Sequence, residues 1–313
     1  MIINLVMLKM NGYLGPSFFD DSVISVEYAL RIAGYQTRIS TNTIAVDALN
    51  IIWGAGTHLG SDLAAIEAVA SPSNCIIFNM EQIAGESPLV NESYLQFLRK
   101  YKVLDYNAHN IRAIHAIDSS ITAREFPLVP APSLAYFAHE HPAGWNGYEF
   151  DIGFYGAMSD RRERVLVELA SNGLRVNRIA GQFGENLNRA IANTKAILNV
   201  HCYSSMIFET ARVLRPLAMG LPVISETSAM PSSVNWTESG VIFADIQNLV
   251  ETCTRVLNSA HLQHRATREI RTFLGNESLW IGSVASVMDE LQQYSSDPKK
   301  GDGHSSLDLT VYS

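Results

Sequence analysis

The chain has 313 residues, 47% of them hydrophobic and 17% charged, and a formal net charge of −8. This is a globular composition, neither disordered nor fibrous, and it is long enough for two domains with separate cores. The excess of acid excludes a general binder of nucleic acid or anionic membrane, which needs a cationic field to gain from counterion release. An anionic ligand has to be held by local cations and helix ends.

In chain order, Ile2 to Leu8 reads as a buried strand, followed by a glycine loop, Gly12 to Pro16. Its apolar run is too short for a signal peptide. Asp20 to Ile32 is an amphipathic helix, with Asp20 or Asp21 as cap and Gly34 as stop, and Gln36 to Ile39 is a second strand. The pattern continues with Asn50 to Gly56 (strand into a glycine turn), Asp62 to Val69 (helix), Asn74 to Asn79 (strand), Tyr94 to Lys100 (helix), Val103 to Asp105 (strand), Ala108 to Ile117 (helix) and Phe126 to Val129 (strand). This βαβα order with short links predicts a parallel, doubly wound sheet.

Trp145 to Tyr148 is the expected hinge, after which the pattern restarts. Strands are expected at Phe150 to Gly156, Arg175 to Ile179, Ala196 to Val200, Leu221 to Glu226 and Val241 to Phe243, with helices at Arg161 to Asn172, Leu187 to Asn193, Glu209 to Met219 and Ile246 to Ser259. In the last helix Leu249, Val250, Cys253, Val256 and Leu257 share one face. Two α/β domains follow, 1–147 and 148–294. The polar, Gly/Ser/Asp-rich tail 295–313 is expected to be disordered. Cys75, Cys202 and Cys253 make neither a disulfide framework nor a metal-ligand spacing, and no stretch reaches the ~18 apolar residues of a membrane-spanning helix. The expected compartment is the cytoplasm.

The densest chemical signal is 196–226. Its first strand ends in Asn199, His201, Tyr203, Ser204 and Ser205, polar groups delivered to the carboxyl edge of a parallel sheet, where open α/β sheets bind ligands. Glu209, Arg212 and Arg215 follow near a helix start. There a carboxylate can accept from ribose hydroxyls while backbone N–H groups and arginines meet a diphosphate. In the first half, Asn79 and Glu81, then Asp105, Tyr106, Asn107 and His109, emerge from two strand ends. Glu81 and Asp105 are candidate general bases toward a sugar hydroxyl, although Asp and Asn at such places also serve as helix caps.

Three segments resemble GT-B-fold glycosyltransferases of the group 1 type found in bacterial surface-polysaccharide synthesis. They are CIIFNMEQI with YLQFLRKYKVLDYNAHNI, then FYGAMSDRRERVL, and finally ILNVH with FETARVLRPLAMGLPVISE. The resemblance implies two facing Rossmann-like domains, the first for an acceptor and the second for a nucleotide-diphosphate sugar, with transfer in the cleft between them. It implies donor-binding roles for Gly156, Arg161, Asn199, Ser204, Ser205, Glu209, Arg212 and Arg215, with His201 beside Glu81 and Asp105 as a catalytic candidate. No metal and no cofactor is expected, because helix-start N–H groups and arginine can stabilise the leaving diphosphate. Retaining members carry two Glu eight positions apart, the second five residues before the glycine of the Gly-x-Pro-Val turn. Here Arg215 stands at that place, and eight residues before Glu209 stands His201. Alternatives are a nucleotide-sugar epimerase or hydrolase on the same architecture, or a non-catalytic two-domain small-molecule-binding protein.

Overall fold

The computed structural model describes residues 2–9, 19–57, 60–83, 87, 89–135, 147–228, 233–295 and 307–308. The glycine loop at 12–16 and residues 145–146 of the expected hinge lie outside them. Two compact units are formed, Met1–Val129 with Trp280–Ser313, and Pro130–Leu279.

The first unit is built on β1 (Ile2–Met7), β2 (Gln36–Thr41), β4 (Leu49–Trp53), β5 (Cys75–Asn79), β6 (Lys102–Asp105) and β7 (Ala123–Glu125), paired in the order β2-β1-β4-β5-β6-β7. Every pairing in this sheet is parallel. Helices α1 (Asp20–Ile32), α2 (Gly60–Val69), α3 (Glu92–Leu98) and α4 (Ala108–Ile117) make the crossovers. Strands β4 and β5 are buried along their whole length. That is why LNIIW and CIIFN are apolar runs rather than alternating patterns. Helix α1 is capped by Phe19, with Asp20 and Asp21 in its first turn, so neither aspartate is the cap.

The strand expected at Phe126–Val129 is a correction. Strand β7 ends at Glu125, and 126–129 runs on as buried irregular chain, with Val129 N donating to Ser25 Oγ at 2.6 Å. Pro127 has no N–H to give to a ladder, which stops the pairing there.

The second unit pairs β8 (Phe150–Tyr155), β9 (Val176–Ile179), β10 (Thr194–Asn199), β11 (Val223–Glu226) and β12 (Val241–Ala244) in the order β12-β11-β10-β8-β9, again parallel throughout. Helices α5 (Asp160–Ser171), α6 (Gly184–Ala192), α7 (Ala211–Ala218), α8 (Leu249–Leu257) and α9 (Ala260–Leu274) accompany it. The apolar face read for α8 is buried, from Leu249 to Leu257.

The final helix, α10 (Ile281–Ser295), belongs to the first unit. It buries Val284, Met288 and Leu291, places Glu290 on Arg124, and is preceded by Trp280, whose ring lies 5.9 Å from that of Tyr28. The expected division at 147 and the assignment of 280–294 to the second half are thereby corrected. Of the tail, Ser295 is described as the last residue of α10, and Leu307–Asp308 forms a two-residue strand, β13, antiparallel to β3 (Thr43–Ile44), so at these three residues the expected disorder does not hold. No helix among the described residues is long and apolar enough to cross a membrane.

Candidate active site

In the second sheet the chain winds one way from β8 to β9 and the other way through β10 to β12, so the strand order reverses between β8 and β10. The carboxyl ends at such a reversal leave a crevice that α/β sheets use for ligands. Strand β8 ends there at Tyr155, just before Gly156, and strand β10 at Asn199.

Between these strand ends lies a buried ion cluster. Arg162 follows the N-cap Ser159 of α5 and is fully enclosed. Its Nη2 donates to both oxygens of Glu209 at 2.8 Å, its Nε to the Val200 carbonyl at 2.9 Å and its Nη1 to the Ala157 carbonyl at 2.6 Å. The guanidinium also sits 5.5 Å from the centre of the Phe154 ring. One side chain thus ties the loop after β8, the loop after β10 and the approach to α7. Burial, then the neighbouring Arg212 charge, push the Arg162 pKa down, and Glu209 opposes them. Helix α7 begins at Ala211, so Glu209 precedes it rather than opening it.

Arg212 completes the cluster. Its Nη1 lies 3.2 Å from Glu209 Oε2, close enough for an ion pair but without a hydrogen bond in line, and Tyr155 Oη donates to its carbonyl. Each Glu209 oxygen has a second neighbour: Arg212 at Oε2 and the Cys202 N–H, 3.4 Å away, at Oε1. Gly156 is required by this packing. Its φ is +128°, and a Cβ there would stand 2.6 Å from Arg212 Cζ. Gly156→Ala is therefore expected to displace Arg212 and to destabilise the unit by about 1–3 kcal/mol through backbone strain. Urea unfolding of the variant measures this, and wild-type stability would refute it.

A second group adjoins at the end of β11. Arg161 Nη2 donates to Glu226 Oε1, while Glu226 Oε2 accepts the His201 N–H at 3.1 Å. His201 Nε2 lies 3.2 Å from the Thr227 carbonyl and 3.4 Å from Ser228 Oγ, and its buried Nδ1 has no hydrogen-bond partner among the described residues. Asn199 is also buried, with Nδ2 donating to Ser225 Oγ at 3.1 Å and Oδ1 unpartnered among the described residues. Arg161 Nε is a further buried donor lacking an acceptor among the described residues.

Gly156, Arg161, Asn199, His201, Glu209 and Arg212 thus gather at the ends of β8, β10 and β11. Ser204 is exposed and Ser205 half-buried in the turn after β10. Arg215 faces elsewhere: its Nη1 donates to Asn188 Oδ1 of α6 at 2.7 Å. Two residues outside the expected site belong to it, Arg162 and Glu226. The signal for Arg162 was its spacing with Val165, Leu166 and Leu169, which puts it on the buried face of α5. Glu226 ends a fully buried strand, VISE, at the carboxyl edge.

In the first unit, strand register sets Asn79 of β5 beside Asp105 of β6. Asp105 is fully buried, and its carboxylate accepts from Asn79 Nδ2 and Asn110 Nδ2, both at 2.7 Å, and from the Asn107 N–H at 2.9 Å. Burial pushes its pKa up to about 7 against these hydrogen bonds. Glu81 is half-buried, its Oε2 accepting from Ser87 Oγ at 3.3 Å. Burial raises its pKa too, and the Ser87 hydrogen bond offsets part of this. Of the two candidate bases, Glu81 retains access to solvent and Asp105 does not. No group of three or more His, Cys, Asp or Glu among the described residues is placed to hold a metal ion.

No family model matches the sequence. Uncharacterized protein L140 of Acanthamoeba polyphaga mimivirus is 25% identical over 198 residues, 62% of this chain and 63% of that protein. Uncharacterized protein L138 of the same virus is 29% identical over 116 residues, 36% of this chain and 13% of that protein. The chain thus spans less than two thirds of the curated relatives it matches. Among solved structures, Anabaena HepE in complex with UDP-glucose superposes with a TM-score of 0.57 at 9% identity, over 92% of this chain and 99% of that one. The T4 phage β-glucosyltransferase gives 0.56 at 13% identity, over 92% and 100%, and another structure of that enzyme holds UDP and Mn²⁺. Sucrose-phosphate synthase of Thermosynechococcus elongatus gives 0.51 at 12% identity, over 93% and 99%. These neighbours are GT-B glycosyltransferases, and this chain shares their α/β fold of two Rossmann-like units, each built on a parallel sheet.

Proposed function

We propose that the chain is a glycosyltransferase that moves a sugar from a nucleoside-diphosphate sugar to a saccharide or other hydroxyl acceptor, in the synthesis of a surface polysaccharide. The observation that carries this reading is the paired cation cluster at the β8/β10 reversal, on a fold whose solved neighbours include complexes with UDP or UDP-glucose. Arg212 and Arg161 take the diphosphate, together with N–H groups of the loop leading into α5. Their charge stabilises the leaving nucleoside diphosphate as the glycosidic bond breaks. Glu209 contributes by holding Arg162 and orienting Arg212, because both its oxygens are already engaged. This replaces the ribose contact expected for it. His201 offers its Nδ1, unpartnered among the described residues, to a hydroxyl of the donor. In the first unit, Glu81 takes the proton of the acceptor hydroxyl, and its raised pKa makes it a stronger base than an ordinary carboxylate.

A thermal-shift panel of UDP, GDP, ADP and UDP-glucose tests the donor assignment. The matching nucleotide at ~100 times its dissociation constant should stabilise by ~2.7 kcal/mol. Absence of a shift with every one of them would overturn the reading. Turnover of the identified donor is expected to survive EDTA. Loss that Mg²⁺ or Mn²⁺ restores would instead assign part of the diphosphate's charge to a metal ion.

A further inference from the structure

Asn79 and Asn110 come from different elements, the end of β5 and the first turn of α4, yet make the same pair of hydrogen bonds. Each Nδ2 donates once to Asp105 Oδ2, at 2.7 Å in both cases, and once to the backbone carbonyl of Glu81, at 2.9 and 2.8 Å. The Glu81 N–H returns a bond to Asn79 Oδ1 at 3.2 Å, and the same oxygen accepts from Tyr94 Oη at 2.8 Å. Asn110 Oδ1 accepts the Ile83 N–H at 2.7 Å, which fixes the chain two residues further on. Three bonds therefore hold the peptide groups on either side of the Glu81 Cα, a fourth holds Ile83, and the two amides that make them meet at one buried carboxylate.

The side chain of Glu81 is confined as well. A Cβ at Gly56 would stand 2.5 Å from Glu81 Cγ, so the stem of the glutamate passes against bare glycine backbone while Ser87 Oγ donates to its tip. Gly56 and Ser87 set the direction of the side chain, and Asp105 sets its root. A buried carboxylate is costly to keep unless its hydrogen bonds are complete. Here two of the three, from Asn79 and Asn110, serve an arrangement centred on one partly exposed acid.

We propose that Asp105 is a positioning residue for Glu81, fixing the place of that carboxylate through the bridging amides of Asn79 and Asn110. The inference rests on the reading of Glu81 as the base. Among the described residues, the other titratable groups that act on Asp105 and Glu81 are Tyr94 of α3 and Glu125 of β7.

The test follows the Glu81 carboxyl by NMR in protein labelled with [¹³C]glutamate, its resonance identified by its loss in Glu81→Gln. The wild type should ionise above the ordinary carboxylate range, and both Asp105→Asn and Asn110→Ala should bring it back toward that range. Asp105→Asn removes the carboxyl and, above about pH 7, its charge, whereas Asn110→Ala keeps the carboxyl and removes one bridge, so agreement between them isolates the geometry. A residue with a merely structural role would lower the melting temperature and leave the titration where it was. An unchanged Glu81 titration in either variant, shown to be folded by near-UV circular dichroism, overturns the proposal.

UDP release from UDP-glucose supplies the second readout. Asp105→Asn should lower kcat on the order of 100-fold while KM changes less than about threefold, as displacement of a reacting group does. Wild-type turnover by Glu81→Gln would remove the reading of Glu81 as base. Full loss in Glu81→Gln with wild-type kcat in Asp105→Asn would remove only the positioning role.

Discussion

Glu209→Ala is expected to destabilise the second unit by about 3–5 kcal/mol, the cost of leaving one partner of a buried ion pair uncompensated. Arg162 has no exposed surface through which water could replace the lost carboxylate, and the nearby Arg212 charge would then oppose it unscreened. A loss of that size is a large share of the 5–15 kcal/mol that typically separates a folded domain from its unfolded chain. Chemical denaturation measures it. The double variant Glu209→Ala with Arg162→Met should be more stable than Glu209→Ala alone, since it removes the stranded charge and keeps an apolar stem beside Phe154. A single variant within about 1 kcal/mol of the wild type would mean that Glu209 does no more than complement a helix dipole. Nucleotide affinity of the folded variants then reports how far Arg212 depends on this anchor.

Asp105 should make stability fall as pH rises through the weakly acidic range. In the unfolded chain its carboxyl ionises near 3.8, and in the folded protein burial pushes this up to about 7. Between those values the folded state holds a proton that the unfolded state has released, so each step up in pH favours unfolding. Below the window both states are protonated and above it both are ionised, so the stabilisation is whole at the acid end and gone above about pH 7. At ~1.4 kcal/mol per unit the change amounts to about 4 kcal/mol over the window. Asp151 and Asp118, whose pKa values are lowered by Arg175 and by Ser120 with Arg99, act in the opposite sense at lower pH. The informative quantity is therefore the difference between wild type and Asp105→Asn. That variant should gain on the wild type as pH goes from 5 to 8, and a difference independent of pH would sink the account.

Much of the architecture was legible in the sequence because it depends on neighbours along the chain. The apolar runs LNIIW and CIIFN, the helix bounds Asp20–Ile32 and Ala108–Ile117, and the face of α8 all follow from local period and burial. The same logic placed polar residues at strand ends, and so the edge where a ligand site belongs. It failed at Phe126–Val129, where proline overrode an apolar run. It also failed for α10, whose side chains pack on the first unit although the chain reaches it last.

What the polar residues do at those ends was decided by tertiary structure. Asp105 and Glu81 look equivalent in sequence, but strand register brings Asn79 and the first turn of α4 brings Asn110 onto the enclosed Asp105, while Glu81 stays half-buried. Arg161 and Arg162 are adjacent in the chain, and the turn of α5 sends one to Glu226 and buries the other on Glu209. Sequence by itself determined the strands, the helices and the sheet edge that carries the polar groups, since these rest on periodicity and backbone chemistry. Which arginine is structural, which carboxylate is accessible and which unit owns the last helix are set by contacts between residues distant in the chain, and no local spacing encodes them.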